Sequence, residues 1–244
     1  MRHEWYLTAI RNQCAELRSA AIEAGPDAEV PTCPKWTVAR LVGHLARVQS
    51  WARAAVGATA GHDVRAGDPP QAWDDLLSWW DEQVTGLLAE LEEPEKPAWT
   101  PFARMPGTTG AWAWRQAHEA AIHRLDAEHA RAGDADPNAV PALLFDPDFA
   151  ADGIEELTTL MVPSIRRADE AADGGTVLLH ATDVALSWTV RIEPGATPET
   201  TRGGSAGDLT IAGTADAVYR RLWGRPSHAS VTGETGLLET LRAP

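Results

Sequence analysis

The sequence predicts a two-domain α+β fold in which a helical bundle is followed by a small mixed domain. The chain has 244 residues, enough for one large domain or two modest ones. Up to about residue 172 the apolar residues recur at helical spacing, and after Asp173-Gly174-Gly175 the pattern changes to that of strands. We therefore expect a bundle over residues 1–172 and a small α+β domain over residues 173–244.

The first half carries the signals of several long helices with no strand between them. An apolar stripe from Trp5 to Ala21 predicts the first helix, which stops at Gly25-Pro26. Thr37 is a suitable N-cap for the second. The others are predicted from about Gln71 to Leu91, Ala111 to Ala132 and Pro147 to Ala172, the last bent or broken near Pro163. Such a series indicates a helix bundle.

The second half shows strand patterns separated by turns. Thr176–Ala181 and Leu186–Ile192 flank a short turn and predict an antiparallel hairpin. The stretch Glu193–Gly207 lacks a regular pattern, and we expect a loop there. The remaining elements are two strands at Asp208–Ile211 and Ala229–Thr232, a helix from about Thr214 to Trp223, and a short helix over Leu237–Leu241. This mixture is typical of a small α+β domain.

Composition and charge exclude two classes of partner. With 21 Lys and Arg against 35 Asp and Glu, the net charge is −14, so the basic patch of a nucleic-acid-binding protein is absent. No apolar run approaches the roughly 18–20 residues of a membrane span. No secretory signal is readable at the N-terminus, and the only cysteines, Cys14 and Cys33, fit a reducing compartment. We expect a cytoplasmic protein; a Cys14–Cys33 bridge and a redox role for either cysteine stay open.

Three side chains have the chemistry and placement of a metal site. His44 lies on the apolar stripe of the second helix, and Glu119 and His123 are one turn apart on one face of the fourth. Two imidazole nitrogens and a carboxylate suit zinc and leave a fourth position open for water or substrate. Asp126 is placed to accept a hydrogen bond from the other nitrogen of His123. The alternative interpretation is a His–Glu pair that is only hydrogen-bonded or solvated.

Other motifs give weaker signals. His118 and His123 are separated by about 140° around a helix, which excludes a zincin motif. No nucleophile elbow, phosphate-binding loop or dinucleotide fingerprint is present. Arg225 follows a predicted helix stop at Gly224, where it could reach an anion, and a surface charge is the alternative.

Several segments together resemble one family. The stretch Val30–Leu45, with its Pro31-Thr32-Cys33-Pro34 run and its Trp36, resembles the opening signature of the actinobacterial mycothiol-dependent maleylpyruvate isomerase family. Trp114 with residues 118–127 resembles the second signature, and Gly213 with residues 222–225 and 231–234 resembles the C-terminal domain. Lys35 departs from the family pattern, which often has glycine there. The resemblance covers nearly the whole chain and implies a DinB-like four-helix bundle followed by a sterol-carrier-like α+β domain.

The resemblance also implies a site and a reaction. The zinc ligands of the family fall on His44, Glu119 and His123, and an arginine implicated in activity falls on Arg225. The implied cofactors are zinc and the thiol cosubstrate mycothiol. The implied reaction adds the mycothiol thiolate to the cis double bond of maleylpyruvate, which rotates and eliminates to give fumarylpyruvate, while Arg225 holds a carboxylate or the developing enolate charge. The expected partners are mycothiol and a small anionic or electrophilic substrate, and a monomer is favoured.

Alternative functions stay open at this point. The same zinc and thiolate would serve a mycothiol S-transferase that forms a stable conjugate in detoxification or secondary metabolism. A non-catalytic metal-binding or stress-related protein could keep the bundle without the reaction. Lipid binding by the second half has little support, because its apolar residues are about what a small core needs.

Overall fold

The computed structural model describes residues 3–165 and 174–241. By their contacts they form two compact units. The first unit comprises the described residues up to Pro101 together with Met105–Ala135, and the second comprises Phe102–Arg104 and the described residues from Asp136 onward. Helices dominate the first unit and a sheet with helices forms the second, which confirms the predicted two-domain α+β class.

The described part of the first unit contains four α-helices. They are α1 (His3–Ala24), α2 (Val38–Ala55), α3 (Trp73–Glu90) and α4 (Thr109–Ala132), with a short 3-10 turn at Gly61–Asp63. Thr37 caps α2 as expected, because its hydroxyl accepts a hydrogen bond from the Arg40 amide at 3.4 Å. Gly133 ends α4 in the left-handed conformation, with φ +68°.

Helix α4 is the centre of the first unit. It packs mainly against α1, while α2 packs against α3 and α4. Nearly every residue of α4 from Ala111 to Ala130 is buried, so its polar side chains lie inside the unit instead of on a solvated face. Buried polar groups require partners, and the arrangement of these partners defines the candidate site.

The second unit is built on a five-stranded mixed sheet with the order β3-β2-β1-β4-β5. β1 (Gly175–Ala181) pairs with β2 (Leu186–Ile192) in the predicted antiparallel hairpin, and it runs parallel to β4 (Leu209–Gly213). The edges are β3 (Glu199–Arg202) and β5 (Ser230–Gly233).

The strand β3 corrects the expectation of a loop over Glu193–Gly207. Its four residues, Glu199-Thr200-Thr201-Arg202, pair with β2 and are mostly exposed. A short edge strand that buries little side chain has no need of apolar alternation, so its sequence carries no strand signal.

The second unit also contains the helices α5 (Pro147–Glu156), α6 (Val162–Ile165), α7 (Ala215–Leu222) and α8 (Gly236–Leu241). A π-helical turn at Leu157–Met161 interrupts the long predicted helix just before Pro163, and the predicted residues 166–172 lie outside the described residues. Helix α5 packs against α7, so the contact boundary falls near residue 135, whereas periodicity placed it after residue 172. Periodicity identifies a helix but not the core on which it packs. None of the described helices is both long and apolar enough to cross a membrane.

Candidate metal centre

The structure brings His44, Glu119 and His123 together inside the first unit. Each offers one potential ligand atom, and these atoms all lie within 4.8 Å of one another. Oε1 of Glu119 lies 3.4 Å from Nε2 of His44 and 3.4 Å from Nε2 of His123. Glu119 and His123 are buried, while the side chain of His44 is 37% exposed. The three groups therefore form a cluster that is buried on one side and open at His44.

Asp126 holds the other ring nitrogen of His123. Its Oδ2 lies 3.0 Å from His123 Nδ1, and an ionised carboxylate can only accept, so Nδ1 carries the hydrogen. This arrangement leaves Nε2 facing Glu119. The Asp126 side chain is fully buried, and its oxygens also accept hydrogen bonds from the Thr32 hydroxyl at 2.6 Å and the Cys33 thiol at 3.4 Å.

Electrostatics keep Glu119 charged although it is buried. Burial by itself would raise the pKa of this carboxyl, but the Arg115 guanidinium and hydrogen bonds from His123 and His44 hold it well below its usual range. Nη2 of Arg115 donates to Oε2 of Glu119. A carboxylate is thus available at this position without a proton to displace.

The imidazole of His123 is strongly affected by its two acidic neighbours. Burial lowers its pKa, but the hydrogen bonds and charges of Asp126 and Glu119 outweigh burial and raise the pKa to about 9. Without a metal, the ring is therefore a cation between two carboxylates. A metal ion in the same place would take over the positive charge, and the ring would bind it in the neutral form.

An aromatic side chain from the loop before α2 covers the two histidines. The Trp36 ring lies 5.0 Å from the His44 ring and 6.1 Å from the His123 ring, centroid to centroid, and is nearly parallel to the latter. The neighbouring Lys35 has a φ of +72°, in the left-handed region that favours glycine. Glycine adopts this conformation without strain, which accounts for its frequent occurrence at this position in the family that the sequence resembles.

A cavity of about 740 Å³ adjoins His44. Trp51 forms part of its wall, and Arg47 and Arg65 bring two guanidinium groups to it. Arg47 is paired with Asp68 at 3.1 Å. The other lining residues are Val48 on α2 and Val64, Ala66 and Asp68 on the loop after it. A volume of this size lies within the range of pockets that hold small molecules.

The donor set fits zinc on chemical grounds. Two imidazole nitrogens and a carboxylate are ligands that zinc accepts, and three protein ligands leave a position for a further molecule. A carboxylate behind one histidine is a common arrangement around zinc, since it fixes the ring and its tautomer. His44, Glu119 and His123 would hold the ion, and the exposed edge of His44 places the open side at the cavity.

Arg225 belongs to the second unit. It lies in the turn after α7, where its Nη1 donates to the carbonyl of Trp223 at 2.9 Å and its amide donates to the carbonyl of Arg220 at 2.9 Å. The two cysteines are unbridged. Cys14 is buried, and burial raises the pKa of its thiol to about 12, partly offset by a hydrogen bond from Gln49. Cys33 lies beside Asp126.

Sequence reasoning missed the contacts of three residues around the cluster. Arg115 contacts Glu119, Trp36 packs against the two histidine rings, and Thr32 contacts Asp126. Arg115 lies four residues before Glu119 on α4, and that spacing was a readable signal for an ion pair. Thr32 and Trp36 come from a loop far from α4 in the sequence, and nothing in their local pattern indicates these contacts.

Family models match most of the chain. Residues 7–128 match the mycothiol maleylpyruvate isomerase N-terminal domain, and residues 148–240 match the MDMPI C-terminal domain. No curated protein matches the chain significantly.

Two solved structures share the fold. A crystal structure of a mutant of the mycothiol-dependent maleylpyruvate isomerase has a TM-score of 0.59 at 14% identity. A crystal structure of the mycothiol-dependent maleylpyruvate isomerase has a TM-score of 0.56 at 16% identity. Each likeness covers 96% of this chain and 95% of the other. The likeness therefore extends over both units.

Proposed function

This chain belongs to the mycothiol maleylpyruvate isomerase family, and from that membership we propose that it is a zinc-dependent enzyme using the thiol of mycothiol. The thiol would add to a small electrophilic substrate. Isomerisation of maleylpyruvate to fumarylpyruvate is the type reaction. The cluster of His44, Glu119 and His123 beside an open cavity is the observation that carries the proposal.

The residues of the cluster and the side chains around it have separate tasks in this proposal. His44, Glu119 and His123 would hold the ion, Arg115 keeps Glu119 ionised, and Asp126 keeps Nε2 of His123 directed at the site. Zinc bound there would lower the pKa of a thiol at its open position and so supply a thiolate at neutral pH. Trp36 covers the two rings and limits the approach of water from its side.

Arg225 would hold a carboxylate of the substrate while the thiolate adds, the new single bond rotates and the thiol is eliminated. A guanidinium suits this task because it can hold a carboxylate through two parallel hydrogen bonds. The family resemblance supports this role, which rests on a short Gly-Arg motif. The proposed thiol chemistry requires a reducing compartment, and the two unbridged cysteines support a cytoplasmic location.

A second candidate is a mycothiol S-transferase that leaves a stable conjugate. The cavity of about 740 Å³ is compatible with it, because an open space of this size does not restrict the electrophile to a small dicarboxylate. The two candidates share the thiolate and differ only in whether the substrate can expel the thiol after addition.

The proposal is tested by measuring zinc in the purified protein and then assaying maleylpyruvate with and without mycothiol. Isomerisation that needs both zinc and mycothiol is the expected result. A stable adduct in the mass spectrum, without isomer, favours the transferase. Isomerisation in the absence of any thiol, or a protein without bound zinc, would contradict the proposal and favour another class, such as a non-catalytic protein.

Variants connect the result to the cluster. Glu119→Ala and His44→Ala are expected to lose zinc and activity together. His62→Ala is the matched control, because the side chain of His62 is 83% exposed in the 3-10 turn and contributes no ligand atom to the cluster. Equal zinc content in Glu119→Ala and the unchanged protein would contradict the assignment of the ligands.

A further inference from the structure

The loop before α2 contacts the buried carboxylate behind the candidate metal ligand His123. We propose that Thr32 is a positioning residue for His123 and acts through Asp126. This inference rests on the proposed metal site. It assigns a task to a hydroxyl group that neither coordinates the ion nor contacts the cavity.

The hydrogen bonds at Asp126 are divided between its two oxygens. Oδ1 accepts from the Thr32 hydroxyl at 2.6 Å, and Oδ2 accepts from His123 Nδ1 at 3.0 Å. The Asp126 side chain has no exposed surface, so bulk water does not replace these donors. The orientation of the carboxylate is therefore set by the side chains around it.

An aspartate carboxylate turns easily about its last torsion angle, whose preference is broad. The hydrogen bond at Oδ1 opposes this rotation and keeps Oδ2 in the direction of His123 Nδ1. The ring is then held with a hydrogen on Nδ1 directed at Asp126 and with Nε2 3.4 Å from Glu119 Oε1. Thr32 thus favours the tautomer and the ring orientation that a metal ion at Nε2 requires.

Thr32 is a stronger anchor than its neighbour Cys33. Its 2.6 Å contact has the length of a charge-assisted hydrogen bond between a hydroxyl and a carboxylate. The Cys33 thiol reaches Oδ2 at 3.4 Å and is a weak donor, and it shares that oxygen with His123. We therefore assign the main positioning effect to Thr32.

The loop delivers the hydroxyl from a backbone that is already fixed. Pro31 and Pro34 restrict the chain on both sides of Thr32 and Cys33. The Cys33 amide donates to the Val30 carbonyl at 2.9 Å, and the Trp36 amide donates to the Cys33 carbonyl at 3.0 Å. A preorganised donor loses little conformational entropy when it holds the carboxylate.

The test compares Thr32→Val with Thr32→Ser in the full chain. Valine keeps the shape of the threonine side chain and removes its hydroxyl group, whereas serine keeps the hydroxyl group. Zinc affinity is measured by competition with a chromogenic chelator. We expect Thr32→Val to weaken zinc binding by up to about 10-fold, the lower end of what loss of a group bonded directly to a metal ligand costs. Thr32→Ser should stay close to the unchanged protein. Thr85→Val, on the exposed face of α3, is the matched control.

A spectroscopic readout separates positioning from a general effect on folding. In ¹⁵N-histidine NMR of the zinc-loaded protein, we expect the Nδ1–H resonance of His123 to shift or broaden in Thr32→Val and to persist in Thr32→Ser. Thermal unfolding of each apo variant checks the fold. If Thr32→Val does not fold, Thr32→Ala removes the same hydroxyl without the extra methyl group and takes its place.

The outcomes distinguish the two proposals. Zinc binding by the unchanged protein together with equal affinity in Thr32→Val would overturn the positioning role and leave the proposed function intact. An equal loss in Thr32→Ser and Thr32→Val would also overturn it, because the hydroxyl would then not be the cause. Absence of zinc binding in the unchanged protein would overturn the proposed function and this inference with it.

Discussion

Arg115 and Glu119 form a buried ion pair one turn apart on α4, with side chains that are only 6% and 10% exposed. Arg115 contacts Oε2 of the carboxylate, and this leaves Oε1 to face Nε2 of both His44 and His123. The pair therefore serves the core and the site at once, because it satisfies a buried charge and directs a candidate ligand atom.

Replacing Arg115 tests the first of these tasks. Arg115→Met leaves the buried Glu119 carboxylate with only the protonated His123 ring as a cationic neighbour. Loss of one member of a buried ion pair costs up to about 3–5 kcal/mol. We expect the free energy of unfolding of the apo protein, measured in urea, to fall by an amount in that range. Arg115→Lys keeps the positive charge, so its free energy of unfolding should fall by less than that of Arg115→Met. A loss below about 0.5 kcal/mol in Arg115→Met, the usual range for a surface substitution, would contradict the assignment.

The pKa of His123 predicts how the stability of the apo protein depends on pH. The folded state raises this pKa from 6.5 to about 9, so the protonated ring stabilises the fold. This contribution is fully present below pH 6.5 and is lost as the pH rises through about 9. We expect the apo protein to become less stable between pH 7 and pH 9 in chemical unfolding experiments.

The matched comparison for this pH effect is His123→Gln. Cys14 ionises only in the unfolded state near pH 9, because its pKa in the fold is about 12, and it destabilises both proteins equally at the upper end of the range. The difference between the two curves therefore reports on His123. Parallel curves between pH 7 and pH 9 would show that His123 does not gain its proton on folding.

The left-handed backbone at Lys35 predicts a stabilising substitution. This conformation destabilises a residue with a Cβ atom by roughly 1–2 kcal/mol. Glycine avoids that strain, but it loses more conformational entropy on folding, which offsets part of the stabilisation. We expect Lys35→Gly to be more stable than Lys35→Ala by about 1 kcal/mol, since alanine keeps the strain. Thermal unfolding of both variants measures the difference. Equal melting temperatures would contradict the role of φ at this position.

The proposed task of Arg225 predicts a change in substrate affinity. Arg225→Gln removes the charge and should raise KM for maleylpyruvate by about 10-fold or more, the cost of one charge-assisted hydrogen bond. Arg225→Lys should recover only part of the substrate affinity, because a lysine cannot form the bidentate contact with a carboxylate. Steady-state kinetics at saturating mycothiol provide the measurement, and an unchanged KM in Arg225→Gln would remove this residue from the mechanism.

The cluster of His44, Glu119 and His123 could be predicted from the sequence because its three side chains lie on helices. The spacing of Glu119 and His123 places them on one face of α4, and helical periodicity places His44 beside the buried face of α2. Periodicity did not predict that the His44 side chain stays 37% exposed. Thr32 was not accessible, since its contact with Asp126 depends on how a loop packs against a helix that is distant in sequence. The strand β3 was not predicted for a different reason. It is formed by backbone pairing with β2, and its mostly exposed side chains show no alternation of apolar and polar residues.

The division of the candidate ligands between α2 and α4 has a mechanical consequence. Glu119 and His123 lie on the helix that forms the centre of the first unit, and His44 lies on a helix that packs beside it. An ion held by all three would tie two distant parts of the chain together, as a removable cross-link does. A cross-link that closes a long loop restricts the unfolded chain. A chelator would therefore loosen the whole unit as well as empty the site, and resistance to proteases would follow the supply of metal.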